Sequence, residues 1–328
     1  MRRPFACKKQ GDRVQYLCII LPNRADWPKH RKEDNPMNPY VFMTDSDSDL
    51  PYRYVDELDL TMVYMPYMLN GKEYLDDLGR NGKQKEYFDN MRAGAAPVTS
   101  LLPTPVYVEY FEPCFQAGKD ILFVAFSSQL SSTINNIYAA REELLAKYPE
   151  RKMIVVDTLS ISAPQTILIL KAHELYRQGK SMEEVAEWLE SNKLRAQAWF
   201  TVDDLVYLRR GGRISAVAAT VGAMLDLKPI ITGNRAGKLV SSDKVRGRKA
   251  ALRMLADKAA EFIDDPAEAM PIILQADAPE DAARLESLIR ERVPGLGEIA
   301  TYYVGPVIGA HCGPGTVAIC FFGKERPC

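Results

Sequence analysis

Residues 121–136 read ILFVAFSSQLSSTINN, an apolar run that stops at hydroxyls and resumes as helix-compatible sequence. No other stretch limits the fold as much. Four serines and a threonine within seven residues, after six apolar positions, describe a buried strand, a polar turn and a helix start. A strand of this kind feeding directly into a helix belongs to α/β architectures, whose ligands bind beyond the carboxyl ends of the strands.

The flanking sequence supports that reading. Ile134, Ile137, Leu144 and Leu145 share one helical face, which Tyr148-Pro149 closes. Residues 153–156 form a strand, and Pro164 opens a helix that stops near Gly179. Ser181 with Glu184 has the spacing of a capping box. This alternation predicts a parallel sheet with right-handed crossovers. Upstream, strands are expected at residues 39–44 and 60–67, with Asn70-Gly71 as a tight turn and a helix over 83–92. Thr99 and Ser100 then fall in a loop before a helix starting at Thr104-Pro105.

From residue 196 the pattern changes. Strands are expected at 199–202, 227–232, 238–244, 272–276, 299–304 and 316–321, with helices at 204–210, 247–263 and 281–292. A chain of 328 residues has room for two cores. The expectation is an α/β protein of two domains: a parallel-sheet α/β domain over 39–195 and a mixed α+β domain over 196–328, with a ligand site between them.

Charge argues against a polyanion partner, since 42 Lys and Arg face 43 Asp and Glu. The six cysteines are scattered without metal-ligand spacing, which suits a reduced cytoplasmic protein and no metal. Residues 14–21 are too short an apolar run to span a bilayer. Residues 1–36 are basic, aperiodic and proline-containing. Arg31-Lys32-Glu33-Asp34 can be encoded by a purine-rich message resembling a ribosome-binding site just upstream of Met37. The expectation is therefore a natural start at Met37, with residues 1–38 a non-native or disordered leader; mass spectrometry of the native protein distinguishes the two.

Four groups of residues have the chemistry of a site. Ser127, Ser128, Ser131, Ser132 and Thr133 stand at a helix start, where unpaired N–H groups favour an anion. Of these, Ser127 and Ser128 are the expected ligand hydroxyls, and Ser131 to Thr133 are expected to shape the turn. His311 lies among Gly305, Gly309, Gly313 and Gly315, a backbone suited to close approach. Arg213 follows Gly211-Gly212 and offers a cation for an anionic ligand or a buried acid. Arg246, Arg248 and Lys249 form a basic patch, either a solvated helix start or a docking surface. Asp45-Ser46-Asp47-Ser48-Asp49 reads as a turn whose side chains satisfy nearby backbone. An EF-hand would need Gly at Leu50 and Glu at Asp56. Neither a nucleotide-binding glycine loop nor a G-x-S-x-G elbow is present.

In order, TDSDSDLP from Thr44, PVTS ending at Ser100, SSQLSSTINN from Ser127, VDTLSIS from Val156, YLRRGGRIS from Tyr207, KVRGRKA from Lys244 and GPVIGAHCGPG from Gly305 resemble the DegV family. These are bacterial fatty-acid-binding proteins that act as the lipid-carrying subunit of fatty acid kinase. The resemblance implies an apolar tunnel for a long-chain acyl group and a carboxylate held at the domain junction by Thr99, Ser100, Ser127, Ser128 and His311, with Arg213 nearby. It also implies a separate ATP-dependent kinase subunit that makes the acyl phosphate, a role in phospholipid metabolism, and no catalysis or cofactor in this chain. The sequence departs from the family pattern at Ser132, where glycine is usual, at Leu101-Leu102 in place of Gln-Pro, and at Ala310 and Cys312 in place of threonines. The alternative is a hydrolase using Ser128 with His311, or a phosphatase using Asp45.

Overall fold

The computed structural model describes residues 39–213 and 226–327, so the expected leader lies outside the described residues. β1 (Tyr40–Asp45) passes through a 3-10 turn into α1 (Tyr52–Leu58), followed by β2 (Thr61–Val63), β3 (Pro66–Leu69), β4 (Lys72–Leu75) and α2 (Gln84–Arg92). Next come β5 (Val98–Thr99), α3 (Thr104–Gln116), β6 (Asp120–Ala125), α4 (Thr133–Lys147), β7 (Met153–Asp157), α5 (Ala163–Arg177) and α6 (Met182–Asn192). The remainder is β8 (Ala196–Thr201), α7 (Val206–Arg210), β9 (Leu227–Gly233), β10 (Leu239–Arg246), α8 (Arg248–Phe262), β11 (Ile272–Gln275), α9 (Pro279–Arg292), β12 (Ala300–Tyr303), α10 (Pro306–Cys312) and β13 (Val317–Phe322).

The first sheet has the order β2-β1-β6-β7 and is parallel throughout, as strand-helix alternation requires. Its centre is β6, where Ile121 to Ala125 are wholly buried. Phe123 meets the ring of Phe111 on α3 edge-on, with centroids 5.6 Å apart. Removing such a ring leaves a cavity that the surrounding helices fill only in part, so Phe123→Ala is expected to cost about 3–5 kcal/mol, read as a lower denaturant midpoint at unchanged slope. α6 starts with the expected capping box: Ser181 Oγ accepts from Glu184 N–H, and Glu184 accepts from Ser181 N–H.

The second sheet has the order β10-β9-β8-β13-β11-β12, antiparallel except for β11 with β12. Alternation along its central strands sends side chains to two different environments. Trp199, Ile273, Val317, Ile319 and Phe321 pack into a core with α8 and α9. Ala198, Phe200, Leu274, Ala318 and Cys320 point the other way, and α5 packs on that side against β8 and β13. The C-terminal segment fastens the two sheets together. The buried Arg326 guanidinium donates to Ala196 O, Lys193 O, Leu159 O and Ser160 Oγ.

Two expectations change, and one element is new. Residues 60–67 are not one strand: Pro66 lacks an N–H, so β2 stays in the parallel sheet while β3 turns at Asn70-Gly71 to pair with β4. Thr99 is not in a loop, since β5 pairs with β3 through Tyr67 and Thr99. Residues 306–312, for which no element was expected, form a helix with Pro306 in its first turn. Gly309 serves close packing there, because a Cβ at this position would sit 3.0 Å from the Phe88 ring on α2.

Candidate functional site

A cavity of about 270 Å³ opens between the carboxyl ends of the first sheet and the free face of the second. Asp47 and Phe126, just beyond β1 and β6, line one side, and Ala198, Phe200, Leu274, Ala318 and Cys320 form the apolar floor opposite. Ile161, Pro164 and Leu239 continue the apolar wall. Thr99, Ser100, Arg213, His311 and the hydroxyl residues Ser131, Ser132 and Thr133 supply its polar lining.

These polar groups are tied to one another. His311 Nε2 and Thr99 Oγ1 form a 3.0 Å hydrogen bond between α10 and β5. On its other side the imidazole lies directly on Gly211: a Cβ there would fall 2.1 Å from Nδ1, so any larger residue displaces the ring. Nδ1 is buried without a hydrogen-bond partner among the described residues. Burial, and then the Arg213 charge, push the His311 pKa down to about 4, which leaves the imidazole neutral at neutral pH. The Arg213 side chain donates from Nε to Leu130 O at 3.1 Å and from Nη1 to Gly211 O, bridging α7 to the serine turn. Among the described residues no carboxylate lies within ion-pair distance of Arg213. It is a cavity-lining cation whose protein partners are carbonyls.

The serine turn faces the cavity with the opposite half from that expected. Ser127 and Ser128 do not line it. Ser127 is fully buried, its N–H donating to Ser160 O and its Oγ to Gly237 O in the β9–β10 turn. Ser128 donates its N–H to Asp157 Oδ1, and its Oγ accepts from Gln129. The cavity receives Ser131, Ser132 and Thr133, with Ser131 Oγ 2.8 Å from Thr133 Oγ1 at the start of α4. The two halves of the turn share one local signature, and the reach of the β9–β10 turn decides which half is tied away.

The hydrolase arrangement is not assembled. His311 is engaged by Thr99, with no hydrogen bond to Ser128. Asp45 is buried behind the cavity wall, where it accepts from Phe126 N–H and Gln165. The acidic stretch is a turn whose side chains accept from backbone, as expected, with Asp45 taking Phe126 N–H, Ser46 taking Met65 N–H and Asp49 taking Gly305 N–H, and Asp45, Asp47 and Asp49 are all buried. Burial raises Asp45 to about 7 and Asp49 to about 7, against the pull of their hydrogen bonds. Asp47, which lines the cavity, was not singled out by the sequence, because the stretch reads equally well as a turn in which every side chain satisfies local backbone.

In the basic stretch, Arg246 and Lys249 are exposed, but Arg248 is committed within the fold to Asp281 at 2.7 Å and to Gly315 O. Among the described residues no His, Cys, Asp and Glu grouping has the geometry to hold a metal ion, and no helix is long and apolar enough to cross a membrane.

Fold and cavity together define an α/β protein with an apolar internal chamber capped by hydroxyls, a neutral imidazole and a guanidinium that, among the described residues, is held by carbonyls and no carboxylate. The DegV family model, described as an uncharacterised protein family, matches residues 41–324. A DegV domain-containing protein of Clostridium perfringens is 39% identical over 290 residues, covering 88% of this chain and 99% of that protein. Among solved structures, a fatty-acid-binding DegV family protein from Thermus thermophilus superposes with a TM-score of 0.77 at 29% identity, covering 87% of this chain and 99% of that one. DegV from Bacillus subtilis, described as a fatty acid binding protein, gives 0.73 at 26% identity, covering 88% and 100%. The chain belongs to the DegV family.

Proposed function

We propose that this protein carries a long-chain fatty acid, with the acyl chain over the apolar floor and the carboxylate among Thr99, Ser100, Arg213 and His311. Ser131 to Thr133 take the place first expected for Ser127 and Ser128. The observation that carries this reading is an arginine on the wall of an apolar cavity with no carboxylate partner in the described protein. A carboxylate ligand supplies the direct ion-pair partner that the buried carboxyls nearby, none of them within 4.0 Å of Arg213, do not, and each buried methylene adds about 0.8 kcal/mol toward its desolvation cost. The neutral imidazole and the hydroxyls hold the head without attacking it. That suits a subunit that presents the carboxylate to a separate ATP-dependent kinase subunit for acyl-phosphate formation in phospholipid metabolism, in the cytoplasm, with no catalysis or cofactor of its own. In this reading the lipid lies between the two sheets, at the junction of domains divided near residue 195, and Arg246 and Lys249 remain the docking residues.

Organic extraction of the purified protein followed by mass spectrometry is expected to yield about one fatty acid per chain. Supplying the loaded protein to a fatty acid kinase with ATP is expected to give acyl phosphate, whereas neither partner alone does. A chain that yields no lipid and is not thermally stabilised by added fatty acid is not a carrier, and turnover of simple esters or phosphomonoesters by the chain alone would favour the hydrolase.

A further inference from the structure

Asp47 is 4% exposed and lines the cavity, yet neither of its carboxyl oxygens takes a hydrogen bond from a described residue, and Oδ1 is buried outright. This sets it apart from its neighbours. Asp45 is held by Phe126 N–H and Gln165, Asp49 by Ser162 and Gly305 N–H, and Asp76 by Leu78 N–H. Those three carboxyls surround Asp47, with Asp45 and Asp49 on its own segment and Asp76 after β4. Among the described residues Arg213 is the cation that opposes them, and the other titratable neighbours are uncharged: His311 and Cys312 from α10, and Tyr107 from α3.

Four buried carboxyls cannot all ionise beside one guanidinium. The member without hydrogen-bond donors is the least able to hold a negative charge, and a neutral carboxyl turned toward a cavity is a hydrogen-bond donor. We propose that Asp47 binds the ligand head in its protonated form, its O–H donating to the fatty acid carboxylate, so that the cavity accepts a carboxylate only while Asp47 keeps its proton. The proposal rests on the carrier reading above and adds a condition to it. Burial, with the repulsion of Asp45, Asp76 and Asp49, raises the Asp47 pKa well above the usual carboxylate range. The sign follows. Ligand binding favours protonated Asp47, so once the fatty acid is itself ionised its affinity falls as pH rises through the ionisation of Asp47 in the free protein, by up to about tenfold per pH unit. His311 and Cys312 do not titrate in that region, lying at about 4 and about 12.

The test is titration of delipidated full-length protein with oleate at acidic, neutral and alkaline pH, using wild type, Asp47→Asn and Asp47→Leu. The wild type is expected to bind more weakly as pH rises. Asp47→Asn, whose amide also donates, is expected to bind at every pH without that decline. Asp47→Leu is expected to bind at least about fivefold more weakly than Asp47→Asn, from the loss of one hydrogen bond to a charged group, again without pH dependence. A flat wild-type profile overturns the Asp47 assignment and leaves the carrier reading standing. A decline that persists in Asp47→Asn assigns it to Asp45 or Asp49 and likewise overturns the proposal. Absence of oleate binding by the wild type at every pH removes the carrier reading and this proposal together.

Discussion

Replacing Arg213 by methionine is expected to lower fatty acid affinity at least about 30-fold, because removing one partner of a desolvated, hydrogen-bonded charge pair costs about 2–5 kcal/mol. Methionine keeps much of the side chain's apolar contact, and the two hydrogen bonds lost within the protein end on the backbone carbonyls of Leu130 and Gly211. The fold is therefore expected to survive, and the loss appears in binding. Arg213→Lys separates charge from geometry: a lysine keeps the cation but cannot bridge Leu130 O and a ligand with one planar fork, so an intermediate loss is expected. Competition of each variant against a fluorescent fatty acid, alongside thermal melts, makes the measurement. Equal affinity for wild type and Arg213→Met would remove Arg213 from the head group.

Ala198→Phe tests the other end of the ligand. Ala198 sits on β8 beside Cys320 of β13, on the face that forms the cavity floor. A phenyl ring there occupies a large share of about 270 Å³ without entering the core of Trp199 and Ile319 behind the sheet. The expected result is loss of co-extracted lipid with a melting temperature no lower than that of lipid-free wild type, since the added ring fills empty space. A variant that retains a full complement of lipid would show that the acyl chain lies elsewhere.

Much of the architecture was legible because it rests on local signals. The β6–turn–α4 unit, the Ser181 capping box, the Asn70-Gly71 hairpin and the strands after residue 196 each lie within a short stretch of sequence. The site was legible in residue types more than in contacts. Residue patterns alone singled out His311 and Arg213 but not Thr99, and only the family resemblance brought the three together, because their union depends on α10 docking against β5 and α7, which no local pattern encodes. The choice between the serine pairs was missed because Gly237, far along the chain, captures Ser127. The cavity floor was hidden for a different reason. Both faces of β13 are apolar, one toward helices and one toward the chamber, and β8 puts Gln197 and Thr201 on its helix face, so no alternation marks the hollow face. Asp47 was hidden because its neighbours do satisfy local backbone, and nothing in the sequence marks the one acid of the turn that does not.

The place of β13 in the second sheet bears on when the chamber can exist. It lies between β8 and β11, supplies Ala318 and Cys320 to the floor, and follows every other described strand in the sequence. Arg326, which anchors the loop after β7, comes later still. On the ribosome, therefore, a nascent chain can complete its first sheet while the second remains two separate pieces and the chamber has no floor. In this topology the chamber is complete only once β13 has been made, so the proposed ligand has no floor to bind against before that strand joins the sheet.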